Sequence, residues 1–217
     1  MSVKLKICGM KFSENILETA QLQPDFMGFI FYEKSPRFYS QEAIPEINAV
    51  KKVGVFVNAS EGEIIEKTTK YGLDLVQLHG NESTDFCKNL KENFLENKLE
   101  VQTIKAFSVD ENFDFGSLKA YEENTDYFLF DTKGKLYGGN GTVFNWQILK
   151  NYTSKKPYFL SGGIGISEIK QLKTFLKTSE SKYCFAIDVN SKFEIEPGLK
   201  DIKTLKEFKK VLYESEL

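Results

Sequence analysis

The chain has 217 residues, with 31 acidic and 29 basic side chains, a net charge of −2 and 41% hydrophobic content. Such a length can bury about 70% of its unfolded surface without metal or disulfide staples. The charge balance argues against nucleic acid or an anionic membrane as a partner, and no stretch approaches the roughly 18 apolar residues of a membrane span.

Cys8, Cys87 and Cys184 are odd in number, far apart and without zinc spacing. No disulfide framework and no metal site is therefore expected, and the expected compartment is the reducing cytoplasm. The N-terminus enters an amphipathic run directly, without the apolar core of a signal peptide.

Eight short apolar runs read as strands, at residues 3–7, 26–31, 52–57, 75–78, 101–106, 127–130, 158–160 and 184–189. Between several of them the apolar spacing becomes helical, as in Ile64, Ile65, Thr68 and Tyr71, or Ile169, Leu172, Phe175 and Leu176. Ser60 and Glu63 form a capping box for one helix. A last helix is expected over 203–213. Strand-helix alternation predicts an α/β protein with a parallel sheet. Eight units of about 27 residues each predict a single-domain (β/α)8 TIM barrel over residues 1–217 rather than a doubly wound sheet.

Barrel chemistry lies just past the C-terminal ends of strands. Cys8 follows the first, and alternation puts Lys4, Lys6 and Cys8 on one inner face. A cation at Lys6 would need a carboxylate there, for which Asp188 on the last strand is the candidate. Past the second strand stands Arg37, the one arginine among the 29 basic residues. Its planar fork grips a carboxylate or phosphate in a way lysine does not. His79, the sole histidine, ends the fourth strand, on the same face as Gln77. Asp131 ends the sixth, before a glycine-rich stretch at 134–143 that reads as a lid. Ser161-Gly162-Gly163 follows the seventh strand, where barrels hold phosphate on backbone N–H groups, and Asn190-Ser191 could complete the cradle. Cys87 and Cys184 read as small buried hydrophobes.

As an ordered set these pieces resemble the phosphoribosylanthranilate isomerase family of tryptophan biosynthesis. The matching segments are Lys6-Ile7-Cys8-Gly9, Gly28 to Tyr32, Ser35-Pro36-Arg37 and Val53 to Asn58. They continue with Val76 to Gly80, Asp131-Thr132-Lys133, Gly138-Gly139, Ser161-Gly162-Gly163, Asp188-Val189 and Pro197-Gly198. The resemblance implies a (β/α)8 barrel performing an Amadori rearrangement of a phosphosugar substrate without cofactor or metal. It implies Cys8 as general base, Asp131 as general acid, and Arg37, His79 and Asp188 at the substrate. The phosphate would lie on Ser161, Gly162, Gly163, Asn190 and Ser191. Cys8 would then need its thiolate favoured, with Lys6 as the nearby cation. Asp131 would need a dry site, which the 134–143 loop could supply.

Three positions depart from the family pattern: Lys11 where threonine is common, Asn145 where aspartate is, and Lys192 in place of a small residue or glycine. Lys192 would be strained if its turn needs positive φ, or its ammonium assists the phosphate. The rival readings are a Schiff-base lyase or aldolase using Lys6 or Lys105, and a non-catalytic barrel that binds a phosphorylated ligand. The sibling indole-glycerol-phosphate synthase would need a further carboxylate-lysine set that has no place here. Nothing marks an oligomer surface, so a monomer is expected, with a homodimer as the alternative.

Overall fold

Each of the eight apolar runs forms a strand in the computed structural model, which describes residues 3–132 and 146–214. They are β1 (Lys4–Ile7), β2 (Phe26–Ile30), β3 (Lys51–Phe56), β4 (Leu75–Leu78), β5 (Gln102–Val109), β6 (Tyr127–Thr132), β7 (Tyr158–Ser161) and β8 (Cys184–Val189). Each is hydrogen-bonded to the next, and β8 pairs in parallel with β1 to close the barrel. The register at the closure sets Lys6 opposite Asp188.

Strand alternation divides the core in two, as a closed sheet requires. Phe26, Val53, Leu75, Ile104, Leu129 and Phe159 meet inside the barrel. Val76, Leu78, Phe128, Phe130 and Ile187 face the outer layer of helices and loops. Gln77 and His79 therefore point inward, as the parity of β4 predicts.

The outer layer departs from regular alternation. Its α-helices are α1 (Ser13–Gln21), α2 (Glu61–Tyr71), α3 (Thr84–Glu96), α4 (Ile169–Phe175) and α5 (Ile202–Tyr213). Ser60 caps α2, its Oγ accepting from the Glu63 N–H at 3.2 Å, as its half of the expected box. No α-helix lies between β2 and β3. Pro36 and Pro45 interrupt that stretch, each removing a backbone donor and restricting the residue before it. Tyr39 closes the gap instead. It is buried, packs edge-on to Phe29 with ring centroids 5.1 Å apart, and donates its hydroxyl to Ala43 O at 2.7 Å. Phe115–Tyr121 and Trp146–Asn151 form 3-10 turns where two further helices would stand. The 134–143 stretch and Asn145 lie outside the described residues. No helix among the described residues is long and apolar enough to cross a membrane.

After β8 the chain forms a hairpin of β9 (Glu194–Glu196) and β10 (Leu199–Lys200) before α5. Asn15 of α1 fastens this hairpin. Its buried amide accepts from the Lys200 N–H at 2.7 Å and donates to Lys200 O at 2.9 Å. Replacing Asn15 with alanine leaves both buried backbone groups unpaired, at about 1–3 kcal/mol each. Thermal denaturation of Asn15→Ala is expected to show a melting temperature lower by at least roughly 4 °C.

Candidate active site

The register of β1 puts Lys6 in the barrel lumen with no solvent exposure. Its ammonium donates to Asp188 Oδ2 at 2.8 Å and Gln77 Oε1 at 2.7 Å. Burial works against this charge, but the Asp188 carboxylate, with a smaller contribution from the Cys8 sulfur when ionised, outweighs it and holds the Lys6 pKa above the ordinary lysine value. The carboxylate partner expected from sequence is thus the one found. Asp188 Oδ1 is buried and has no hydrogen-bond partner among the described residues.

Cys8 follows on the same face, buried at the end of β1. Two glycines make its position possible. A Cβ on Gly28 would stand 2.6 Å from Cys8 Sγ, so the thiol occupies space that any other residue would fill. Gly9, at φ 75°, lets the chain turn away, and a Cβ there would meet Asn190 Oδ1 at 2.6 Å and Arg37 Cδ at 2.8 Å. Burial pushes the Cys8 thiol up; Lys6 and Lys200 pull it down without overcoming burial. The expectation that Lys6 favours the thiolate holds for its direction only.

Across the mouth, Asp131 ends β6 and is about one-third exposed, with Oδ2 3.6 Å from His79 Nε2. His79 Nδ1 lies 2.8 Å from Gln77 Nε2. The turn after His79 is held by a second buried ion pair. Lys105 Nζ donates to Glu82 Oε2 at 3.0 Å and to Gly80 O at 2.8 Å, while Glu82 accepts from the N–H groups of Asn58 and Gly80. Both lysines considered for Schiff-base chemistry are therefore buried and tied to acceptors, which leaves neither amine free to attack a carbonyl.

Cys8, Gln77, His79, Asp131 and Asp188 line one cavity of about 210 Å³ together with Ser161–Gly163 and 190–192. Gly162 and Gly163 both have positive φ, and a Cβ on Gly163 would meet nothing within 4 Å, so this turn faces open space. Ser191–Phe193 forms a 3-10 turn, and Lys192 is not among the residues with positive φ. The strained alternative for Lys192 is thereby removed. Its methylenes pack beside Gly165, and it lines the cavity. A wider cleft of about 1060 Å³ opens at the other end of the barrel, beside Val3, Leu176 and Tyr213, away from these groups.

Arg37 is at the mouth but outside the cavity lining. Its Nε and Nη2 hold Glu194, the shortest contact being 2.6 Å. Glu194 also accepts from Lys200 Nζ at 2.7 Å, and Lys200 reaches Asn190 Oδ1 at 2.7 Å. Arg37 and Lys200 hold the Glu194 carboxyl below its ordinary pKa despite burial. Sequence reasoning missed Glu194 and Lys200. Lysine and glutamate beside a Pro-Gly turn look like a solvated hairpin, and only the fold turns them inward. Lys11 Nζ adds a bond to Pro36 O at 3.0 Å beside this cluster. Among the described residues no group of three metal-ligating side chains converges.

A raised folded-state pKa for Cys8 contributes stability below the ordinary thiol pKa, and the contribution is lost as pH rises through the folded value. Alkylation of the Cys8 peptide, followed by mass spectrometry against pH, is expected to inflect above the ordinary thiol value of ~8.5. An inflection below that would show that the two cations outweigh burial.

A family model described as N-(5'phosphoribosyl)anthranilate (PRA) isomerase matches residues 5–211. An N-(5'-phosphoribosyl)anthranilate isomerase of Parabacteroides distasonis is 44% identical over 210 residues, covering 94% of this chain and 90% of the relative. That of Phocaeicola vulgatus is 41% identical over 199 residues, 91% of each chain. The crystal structure of phosphoribosyl anthranilate isomerase from Thermotoga maritima superposes with a TM-score of 0.79 at 32% identity, covering 97% of this chain and 98% of that one. Another phosphoribosyl anthranilate isomerase, in complex with reduced 1-(o-carboxyphenylamino)-1-deoxyribulose 5-phosphate, superposes at 0.78 with 29% identity and the same coverage. The chain belongs to the N-(5'-phosphoribosyl)anthranilate isomerase family.

Proposed function

We propose that the chain catalyses the Amadori rearrangement of N-(5-phospho-β-D-ribosyl)anthranilate to 1-(2-carboxyphenylamino)-1-deoxy-D-ribulose 5-phosphate in tryptophan biosynthesis. The observation that carries this reading is one cavity lined by a thiol, a carboxyl group and two glycine- or asparagine-bearing turns at the C-terminal mouth of a barrel. Asp131 delivers its proton to the furanose ring oxygen. The C1–O bond breaks, and the nitrogen lone pair forms a cationic imine. Cys8 then takes the C2 proton, the C–H pair becoming the C1=C2 bond while the imine π pair returns to nitrogen. The resulting enolamine gains a proton at C1 and loses one from the C2 hydroxyl, giving the ketone.

The electrostatics support this order. Burial raises the Cys8 pKa in the empty site and Lys6 and Lys200 lower it. The base is the thiolate, its proton having left to solvent through the open mouth, and the imine cation made by ring opening favours that form. Cys8 and Asp131 stand on strands separated by β7 and β8 on one side of the barrel, which leaves room for the sugar between them. The turns at Ser161–Gly163 and Asn190–Ser191 would receive the phosphate on backbone N–H groups, with Lys192 adding charge. Asp188 Oδ1, buried and without a hydrogen-bond partner among the described residues, would accept from a substrate hydroxyl. His79 lines the same wall. Arg37, with Nε and Nη2 committed to Glu194, would meet the anthranilate ring or carboxylate with its remaining edge rather than with its full fork. A non-catalytic phospholigand barrel has no use for an acid and a base in one cavity.

Turnover of N-(5-phosphoribosyl)anthranilate by the wild type is the expected result. Cys8→Ala and Asp131→Asn are each expected to lower kcat by about 10²–10⁴-fold. Arg37→Lys is expected to act mainly on kcat/KM. Full activity in either of the first two variants would overturn the assigned roles.

A further inference from the structure

The contacts around Lys6 fix a proton position two side chains away. A lysine ammonium only donates. Gln77 Oε1, 2.7 Å from Lys6 Nζ, is therefore the acceptor, and the reverse amide orientation would set two donors against each other. Gln77 is buried, so no competing water contact reorients it. Its Nε2 consequently faces His79 Nδ1 at 2.8 Å. An amide nitrogen donates and does not accept, so Nδ1 must present its lone pair. In the neutral ring the proton then sits on Nε2, which faces Asp131 Oδ2 at 3.6 Å.

We propose that Gln77 is a positioning residue that holds His79 as the Nε2–H tautomer and thereby decides which oxygen of Asp131 carries the acidic proton. The proposal rests on the reading of Asp131 as general acid. With an N–H aimed at Oδ2, a proton on that oxygen would meet another donor, so the acid holds its proton on Oδ1. Once Asp131 has given that proton to the ring oxygen, the same N–H faces the new carboxylate charge and steadies it. The 3.6 Å separation is longer than a hydrogen bond, and contacts of this kind tighten when substrate fills the site. His79 is then a fixed donor, with its direction set through Gln77 by the Lys6–Asp188 pair. The chain Asp188, Lys6, Gln77, His79, Asp131 so links the wall that bears the base to the wall that bears the acid.

The sequence makes the test clean, because His79 is the only histidine. In a long-range ¹H–¹⁵N spectrum of the labelled full chain, its ring gives a single set of signals. The expected wild-type pattern is a protonated Nε2 and an unprotonated Nδ1. In Gln77→Glu the side chain can only accept, so Nδ1 is expected to become a donor, and kcat to fall at least about tenfold with a smaller change in KM. A wild-type spectrum with the proton on Nδ1 overturns the proposal, as does an unchanged pattern in folded Gln77→Glu. If Gln77→Glu does not fold, the wild-type spectrum alone decides the tautomer. Normal turnover by Asp131→Asn would remove the acid assignment while leaving the tautomer result standing, so the two failures are separable.

Discussion

A lysine ammonium with no access to water stands in the lumen of this barrel, and the mouth is arranged around it. Taking an ammonium and a carboxylate out of water costs several kcal/mol per ion, and their attraction offsets this only with close geometry and further hydrogen bonds. Lys6 meets both conditions through Asp188 and Gln77. An apolar pair of similar volume would fill the same space at no electrostatic cost. What such a pair could not supply is direction. The ammonium presents donors along fixed lines to β4 and β8, and so holds Gln77 and Asp188, which line the cavity together with Cys8 and Asp131.

A second charged cluster closes the other side of the thiol. Glu194 ties Arg37, on the loop after β2, to Lys200 on β10, and Lys200 ties both to Asn190. One carboxylate thus fastens the loop after β2 to the hairpin that follows β8, and Asn15 of α1 clamps the same hairpin from behind. The thiol sits between the clusters, and Lys6 and Lys200 each lower its pKa while burial raises it. The balance leaves the Cys8 pKa above the ordinary thiol value.

The barrel was legible because eight apolar runs recur at near-even spacing, and strand parity carried Lys6, Gln77 and His79 to the correct face. The Lys6–Asp188 pair was legible for the same reason, since an inward lysine demands a carboxylate. The missing helix between β2 and β3 was not read from the sequence, and the aromatic plug at Tyr39 depends on Tyr71 of α2 meeting Phe29 and Phe31 at the end of β2. Glu194 was hidden because its environment is made by tertiary contacts, with Arg37 157 residues away along the chain. The thiol's raised pKa was hidden too. Sequence shows a cation two residues from Cys8, whereas desolvation depends on how deeply the end of β1 is packed.

On this reading Lys6 and Asp188 serve orientation rather than stability. The most direct measurement compares denaturant unfolding and turnover for Lys6→Met and for Lys6→Met combined with Asp188→Leu. The single variant strands a buried carboxylate and should lose about 3–5 kcal/mol. The double variant should recover most of that stability yet still turn over at least about 100-fold more slowly than wild type. A double variant that keeps its turnover, or one that is no more stable than Lys6→Met alone, would contradict the account.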